Sequence, residues 1–326
     1  MDRRRFIGTA AGVLVATPFA GARAAKAKVR HIGWLSPGEA YTPAQRQEFW
    51  APARDLGWIE GQNLIVEYRY AGGRVELLRP FAEELVRLKV EIIATQGTDA
   101  TLAAKNATST IPIVFTSAGE PAGAGLVASL ARPGGNVTGL SLMSQGTDTK
   151  RLSLLRELLP SAQRIGELFD PANPFARTTR DEYEQVYQSL AMRPIFIEVT
   201  TAGELENAVA EVARRGGQAL VVRAGLLFYP NRVTIMSAAL RHALPTFVGG
   251  RPYLDAGGLL SYSPDPTDQT RRFIAIIDKI LRGSKPADLP VEQPTKFLLE
   301  INLKTAKALG LTIPQSVLLR ADDVIQ

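Results

Sequence analysis

Ile92-Ile93-Ala94-Thr95-Gln96 is a nearly continuous apolar run that passes through Gly97 straight into Thr98-Asp99-Ala100-Thr101-Leu102-Ala103-Ala104-Lys105-Asn106-Ala107-Thr108, and Ile113-Val114-Phe115-Thr116 follows after a short break. An apolar run of this kind is a strand buried on both faces, and the alanine-rich stretch behind it is a helix, so the segment predicts one β-α-β unit with parallel strands. The pattern extends in both directions. Val29 to Leu35, Leu64 to Tyr70 and Val137 to Leu142 read as further strands, with helices from Thr42, an N-cap followed by Pro43, to about Leu56, and from Val75 to Leu88. Such alternation specifies a parallel, doubly wound sheet with helices on both faces.

The alternation restarts after the polar stretch Ser144 to Thr149. Helices from about Asp148 to Leu159, Phe175 to Ala191, Ala202 to Arg215 and Asn231 to His242 are interleaved with strands Arg164 to Phe169, Pro194 to Val199, Ala219 to Arg223 and Thr246 to Val248. Strand Leu259 to Tyr262, a long helix from about Thr267 to Arg282, the proline-punctuated stretch containing Pro286, Pro290 and Pro294, and Phe297 to Ile301 then break the order and predict a return of the chain across both units. The expected fold class is α/β: two doubly wound Rossmann-like lobes joined by a multi-crossing hinge. The first lobe is expected to hold residues 28–143 plus about 264–300, the second 146–258 plus part of about 301–326. A chain of 326 residues with 45% apolar and 21% charged residues suits two such cores.

Composition removes several classes of function. Without cysteine there are no disulfides, thiol nucleophiles, cysteine-held metals or lipid-modified N-terminal cysteine, and His31 and His242 alone make no multi-histidine metal site. Arg3, Arg4 and Arg5 precede the apolar, small-residue stretch Phe6 to Ala20, and Ala20, Ala22 and Ala24 follow at cleavage-site spacing. Residues 1–24 therefore read as a signal peptide, with Arg3-Arg4-Arg5-Phe6-Ile7 resembling the twin-arginine pattern, although Asp2 stands where Ser or Thr is usual. Removing these residues takes Arg3, Arg4, Arg5, Arg23 and Asp2 from a net charge of +6 and leaves 34 basic against 31 acidic residues, or +3. No remaining window clusters Lys and Arg among aromatics, so nucleic acid is not an expected partner.

In a Rossmann-type sheet the loops after the strand C-termini carry the site. Here they present Ser36, then Gln96, Gly97 and Thr98, then Ser117 and Glu120; in the second unit, Asp170 and Asn173, then Arg223; and Tyr262 at the end of a later strand. This inventory suits a small polar or zwitterionic ligand, its carboxylate met by backbone N–H groups or Arg223 and its amine by Glu120 or Asp170. Each residue also has a structural alternative that the sequence leaves open: Thr98 as a helix cap, Arg223 paired with a structural carboxylate, Asp170 and Asn173 closing a turn, Glu120 facing solvent, Tyr253 and Tyr262 packing in a core or hinge. Arg132-Pro133-Gly134-Gly135-Asn136 reads as a tight turn and lacks the Lys-Ser/Thr of a phosphate loop. Neither histidine is placed to serve a nucleophile, and no Gly-x-Ser-x-Gly elbow occurs, so no enzyme activity and no cofactor are expected.

Several strings resemble the periplasmic substrate-binding proteins of ABC transporters, in the tryptophan/tyrosine-type or uncharacterised-solute branch. They are Ile32-Gly33-Trp34-Leu35-Ser36-Pro37-Gly38, Ser129-Leu130-Ala131-Arg132-Pro133-Gly134-Gly135-Asn136-Val137-Thr138-Gly139-Leu140, Lys285-Pro286-Ala287-Asp288-Leu289-Pro290-Val291-Glu292-Gln293-Pro294-Thr295-Lys296, and Ile301-Asn302-Leu303-Lys304-Thr305-Ala306-Lys307-Ala308-Leu309-Gly310-Leu311. The resemblance implies the type I periplasmic-binding-protein fold, a small-molecule ligand, and ABC permease and ATPase partners; the signal peptide with no cysteine to lipidate leads to an expected monomer free in a Gram-negative periplasm without a membrane anchor. The resemblance places ligand loops at Ser36, Gln96 to Thr98, Ser117 to Glu120, Asp170 to Asn173 and from Arg223. Glu120 and Ser263 stand where relatives usually carry Asp and Gly, so a relative's ligand does not transfer directly. A sensory binding protein for a membrane receptor and a periplasmic α/β enzyme are the alternative readings.

Overall fold

The structure, a computed structural model, describes residues 29–142, 144–171, 174–223 and 225–326. The expected signal peptide and Asn173 lie outside the described residues. The first lobe begins with β1 (Arg30–Ser36), α1 (Pro43–Phe49), α2 (Ala51–Asp55), β2 (Leu64–Tyr70), α3 (Leu78–Arg87), β3 (Ile92–Gln96), α4 (Gly97–Ala107), β4 (Ile113–Ala118) and β5 (Val137–Ser141). These strands form an all-parallel sheet in the order β2-β1-β3-β4-β5. The helix expected from Thr42 to Leu56 is in fact two, broken at Trp50, because Pro52 has no N–H to bond the carbonyl one turn back. Thr42 caps the first as expected, accepting from the Gln45 amide while the Gln45 side chain accepts from the Thr42 amide.

The second lobe continues with α5 (Ser144–Leu158), β6 (Arg164–Phe169), α6 (Pro174–Ser189), β7 (Arg193–Glu198), α7 (Leu205–Arg214), β8 (Ala219–Val222), α8 (Arg232–Arg241), β9 (Thr246–Val248), α9 (Arg251–Asp255) and β10 (Leu260–Pro264). The chain then crosses to α10 (Pro266–Leu281), returns as β11 (Phe297–Asn302), and ends in α11 (Leu303–Ala308), α12 (Gln315–Leu318) and β12 (Asp323–Ile325). The second sheet runs β12-β11-β10-β9-β8-β6-β7, parallel except where β10 meets β11. One boundary moves. Residues 297–300 pair with β10 and belong to the second sheet, so the expected first-lobe limit at about 300 shifts back to the hinge near 296, where the strand needed its partner.

Each sheet is buried on both faces. In the first lobe, Trp34, Ile32 and Val114 meet Phe273, Ile274, Ile276 and Ile277 of α10 on one side, while Leu35, Ile93 and Phe115 meet Leu78, Leu85 and Ala104 on the other. The second lobe does the same, with Ile165, Phe247, Leu260 and Ile301 under α5, α6 and α12, and Leu220 and Val222 under α7 and α8. Three crossings join the lobes and lie side by side. Ser141 donates to the Glu292 carbonyl and Glu292 to the Gly139 carbonyl, both at 2.9 Å, and the Asp265 amide donates to the Lys296 carbonyl at 3.0 Å. Asp265 also caps α10 through the Thr267 and Asp268 amides and pairs with Lys296 Nζ at 2.7 Å.

Candidate ligand cleft

The C-terminal strand ends of the first lobe build one wall. Ser36, fully buried at the end of β1, donates a 2.7 Å hydrogen bond to the Gln96 side-chain oxygen at the end of β3 and accepts from the Gly38 amide at 3.1 Å. Gln96 occupies the N-cap position of α4 but makes no side-chain cap, and Gly97 enters the helix at a φ of 78°. The reading of Thr98 as a cap is corrected here. Thr98 sits inside the first turn, and its hydroxyl accepts from the Gly119 amide at 3.3 Å because the cap position falls two residues earlier. The N-cap side chain thus takes none of the first amides of α4, where the helix dipole favours an anion, and the Asp99 carboxylate accepts from its own amide.

The end of β4, leading into the loop that follows, is held in an unusual shape. Its register with β5 shifts between Phe115 and Ala118, and Ser117 takes a φ of 60°, in the left-handed region that non-glycine residues avoid. Gly139 makes this possible, since a Cβ there would sit 2.1 Å from the Phe115 carbonyl oxygen. The loop is pinned by Thr98 on one side and by Ser141, whose hydroxyl donates to the Gly119 carbonyl at 3.2 Å, on the other. Glu120 is half-buried in this loop and its carbonyl accepts the Ala124 amide at 2.7 Å.

Three further residues, not singled out from sequence, complete the cleft. Tyr41 packs against Trp34, Phe49 and Tyr70, with ring centroids 6.3, 5.9 and 5.6 Å away. Burial raises the pKa of its phenol, Tyr229 of the second lobe adds to the rise, and the Gln96 side chain opposes it. Asp99, in the first turn of α4, has its carboxyl pKa raised, first by burial and then by the charge of Asp170 across the cleft. Asp170 follows β6 and is half-buried. Tyr229 is 48% exposed and meets Tyr253 edge-on at 6.0 Å, so its ring has a free part facing the first lobe. Asp99 follows Thr98 in the same strand-end segment, and Tyr41 lies five residues beyond Ser36, so both stand in the sequence beside the loops that face the cleft.

Two predicted site residues are drawn elsewhere. Arg223 donates through Nε to Glu167 and through Nη1 to Asp148, and Tyr183 covers its guanidinium with a ring 3.4 Å away. Burial disfavours its charge, but Asp148 and Glu167 outweigh that and hold the guanidinium protonated. Tyr262 stacks on Phe297 at 5.2 Å, 12° from parallel, beside the core under α5, because even positions of β10 face that core. The structure therefore brings Ser36, Gln96, Gly97, Thr98, Ser117 and Glu120 to one wall and Asp170 to the facing one, with Arg223 and Tyr262 engaged inside the second lobe.

Among the described residues no group of three or more His, Cys, Asp and Glu side chains is gathered to hold a metal, and no helix is long and apolar enough to cross a membrane. Two α/β lobes on a three-crossing hinge, with polar and aromatic side chains from both facing one cleft, define a bilobal solute-binding protein of the type I periplasmic class. The chain belongs to the ABC transporter substrate binding protein family, whose model matches residues 44–325.

Its likeness to known proteins covers most of its length. A tyrosine-binding protein of Clostridioides difficile (strain R20291) is 25% identical over 264 residues, 79% of this chain and 74% of the relative. A conserved domain protein from Vibrio cholerae is 26% identical in its crystal structure, with a TM-score of 0.85 over 91% of this chain and all of that one. The ABC domain in complex with L-Trp from Streptococcus pneumonia has a TM-score of 0.84 at 24% identity, again over 91% of this chain and 100% of that one.

Proposed function

We propose that this substrate-binding protein works in the periplasm as the receptor of an ABC importer and that its ligand is an aromatic α-amino acid. The observation that carries the ligand class is the pairing of like groups across the cleft: Asp99 with Asp170, and Tyr41 with Tyr229, each pair drawn from both lobes. The Asp99 carboxyl is disfavoured as an anion by its burial and by the charge of Asp170, so a cation placed beside it is favoured, which an α-ammonium supplies. The first amides of α4 then receive the adjoining carboxylate, and Tyr41 and Tyr229 flank the ring. Glu120 lies on the same wall as a further acceptor for the ligand. The tyrosine-binding relative and the L-Trp-bound relative support this ligand class.

A ligand that touches both lobes favours the closed form by the difference between its contacts in the two forms, which is the signal a permease reads. We assign the protein no catalytic step, and we take residues 1–24 as its export signal, with no cysteine to carry a lipid anchor. A thermal-shift screen of the protein lacking those residues, against the standard amino acids and simple aromatic carboxylates, tests the reading. Tyrosine or tryptophan should raise the melting midpoint, since a ligand that binds only the folded form stabilises it. A shift confined to non-aromatic or amine-free compounds would refute it.

A further inference from the structure

The side chains that hold Arg223 form a chain of charges running from the cleft to the hinge. Arg223 directly follows β8, at the start of the loop that carries Tyr229. It pairs with Asp148, in the first turns of α5 immediately after the first crossing, and Asp148 in turn accepts from Arg151 Nη1 at 3.0 Å. Arg151 Nε donates to the Tyr262 carbonyl at 2.8 Å, two residues before the β10 strand ends at the second crossing. The Tyr262 ring lies on Phe297, the first residue of β11 after the third crossing. Glu167 closes the group from β6, accepting from Arg223 and, at 2.6 Å, from the Tyr187 hydroxyl. One buried network therefore touches a cleft loop and all three crossings.

We infer that Arg223, Asp148 and Arg151 are positioning residues: they fix the Tyr229 wall of the cleft to the hinge, so that ligand affinity depends on them although they do not hold the ligand. Two carboxylates and one tyrosine ring already occupy Arg223, and its side chain is only 17% exposed. Charges within the network balance, two Asp or Glu against two Arg, so no ligand charge is called for. Coupling to affinity follows from population: a ligand's apparent affinity falls in proportion as the arrangement that fits it becomes rarer. A wall no longer fixed to the hinge samples more arrangements.

This inference rests on the ligand reading above for its binding arm but not for its conformational arm. Arg151→Met removes only the link to Tyr262 and Asp148, while Arg223→Lys keeps the charge and loses the planar fork. Both variants, checked for parental circular dichroism, should bind L-tyrosine about tenfold more weakly, with the ratio of L-tyrosinamide to L-tyrosine dissociation constants within about twofold of the parent's. Parental affinity in both variants, or a ratio changed tenfold in Arg223→Lys, would overturn the inference, the latter because Arg223 would then be touching the ligand carboxylate. In parallel, spin labels on the two lobes report the interlobe distance of the ligand-free protein. The distribution should broaden in Arg151→Met, and an unchanged distribution overturns the inference even if L-tyrosine binds neither parent nor variant.

Discussion

The Ser36 hydroxyl donates to the Gln96 side-chain oxygen at 2.7 Å and thereby joins the ends of two neighbouring strands. The bond has a consequence for the helix that follows. A Gln96 side chain held by Ser36 is not available to cap α4, and it takes none of the first amides of that helix. Ser36→Ala should loosen it, leaving the half-buried amide oxygen without the Ser36 donor and Tyr41 as its remaining tether. Ligand affinity should fall about fivefold, the worth of a roughly 1 kcal/mol cap competing for the same amides. Titration calorimetry with L-tyrosine measures this, and an unchanged affinity would show that these amides are not used.

Asp99 gives the cleft a pH dependence with a definite sign. Its carboxyl pKa is raised by burial and by Asp170 in the free protein, and an ammonium ion placed between the two lowers it again. Binding is therefore at full strength above the raised value and weakens as the pH falls through it, by up to about tenfold per pH unit. For the free protein, the same shift means that stability falls as the pH rises from the ordinary carboxylate value to the raised one, and the full cost of ionising Asp99 is present above it. Asp99→Asn should melt higher at neutral pH, bind L-tyrosine more weakly, and show a flatter affinity profile on the acid side. Matching profiles for variant and parent would exclude Asp99 from the amine site.

The two tyrosines that face each other should respond differently. Tyr229 is 48% exposed, so Tyr229→Ala is expected to leave stability within about 0.5 kcal/mol of the parent while reducing affinity for L-tyrosine about tenfold. Tyr41 is one of an aromatic group with Trp34, Phe49 and Tyr70, and Tyr41→Ala opens a hole there. It should lose affinity and also about 2 to 3 kcal/mol of stability, read from urea midpoints. Equal stability loss in both variants would contradict this division.

The strained end of β4 offers a further comparison. Gly139→Ala would drive a methyl group into the Phe115 carbonyl and should destabilise by about 3 kcal/mol or more, or prevent folding. Ser117→Gly removes the cost of a side chain at a φ of 60° and should stabilise by about 1 kcal/mol. If the Ser117 conformation serves the ligand, the more stable variant will also bind less tightly.

The sheets were legible because their strands are apolar runs between turn residues: β1, β2, β3 and β6 lie within a residue of where the pattern puts them. What the pattern could not show was pairing across the chain. Phe297 to Ile301 reads only as part of a return of the chain across both units, and the antiparallel register with β10 assigns it to the second sheet. The cleft was half legible for the same reason. Strand ends indicate which loops face it, whereas Arg223 is spent on Glu167 and Asp148, partners 56 and 75 residues away that no spacing rule connects. The approach of Tyr229 to Tyr41 and of Asp170 to Asp99 crosses between the lobes, and that is a fact of assembly rather than of local sequence.

The central claim is that both charges of an amino acid are recognised, each by a different part of the cleft. Titration calorimetry of the protein lacking residues 1–24 with L-tyrosine, tyramine and 3-(4-hydroxyphenyl)propanoate tests it most directly. L-Tyrosine should bind, and removal of either the carboxylate or the amine should weaken binding by about a hundredfold, since each loss removes a charge-assisted contact to the helix end or to Asp99. Equal binding of L-tyrosine and 3-(4-hydroxyphenyl)propanoate would contradict the account, because Asp99 and Asp170 would then face each other for some other reason.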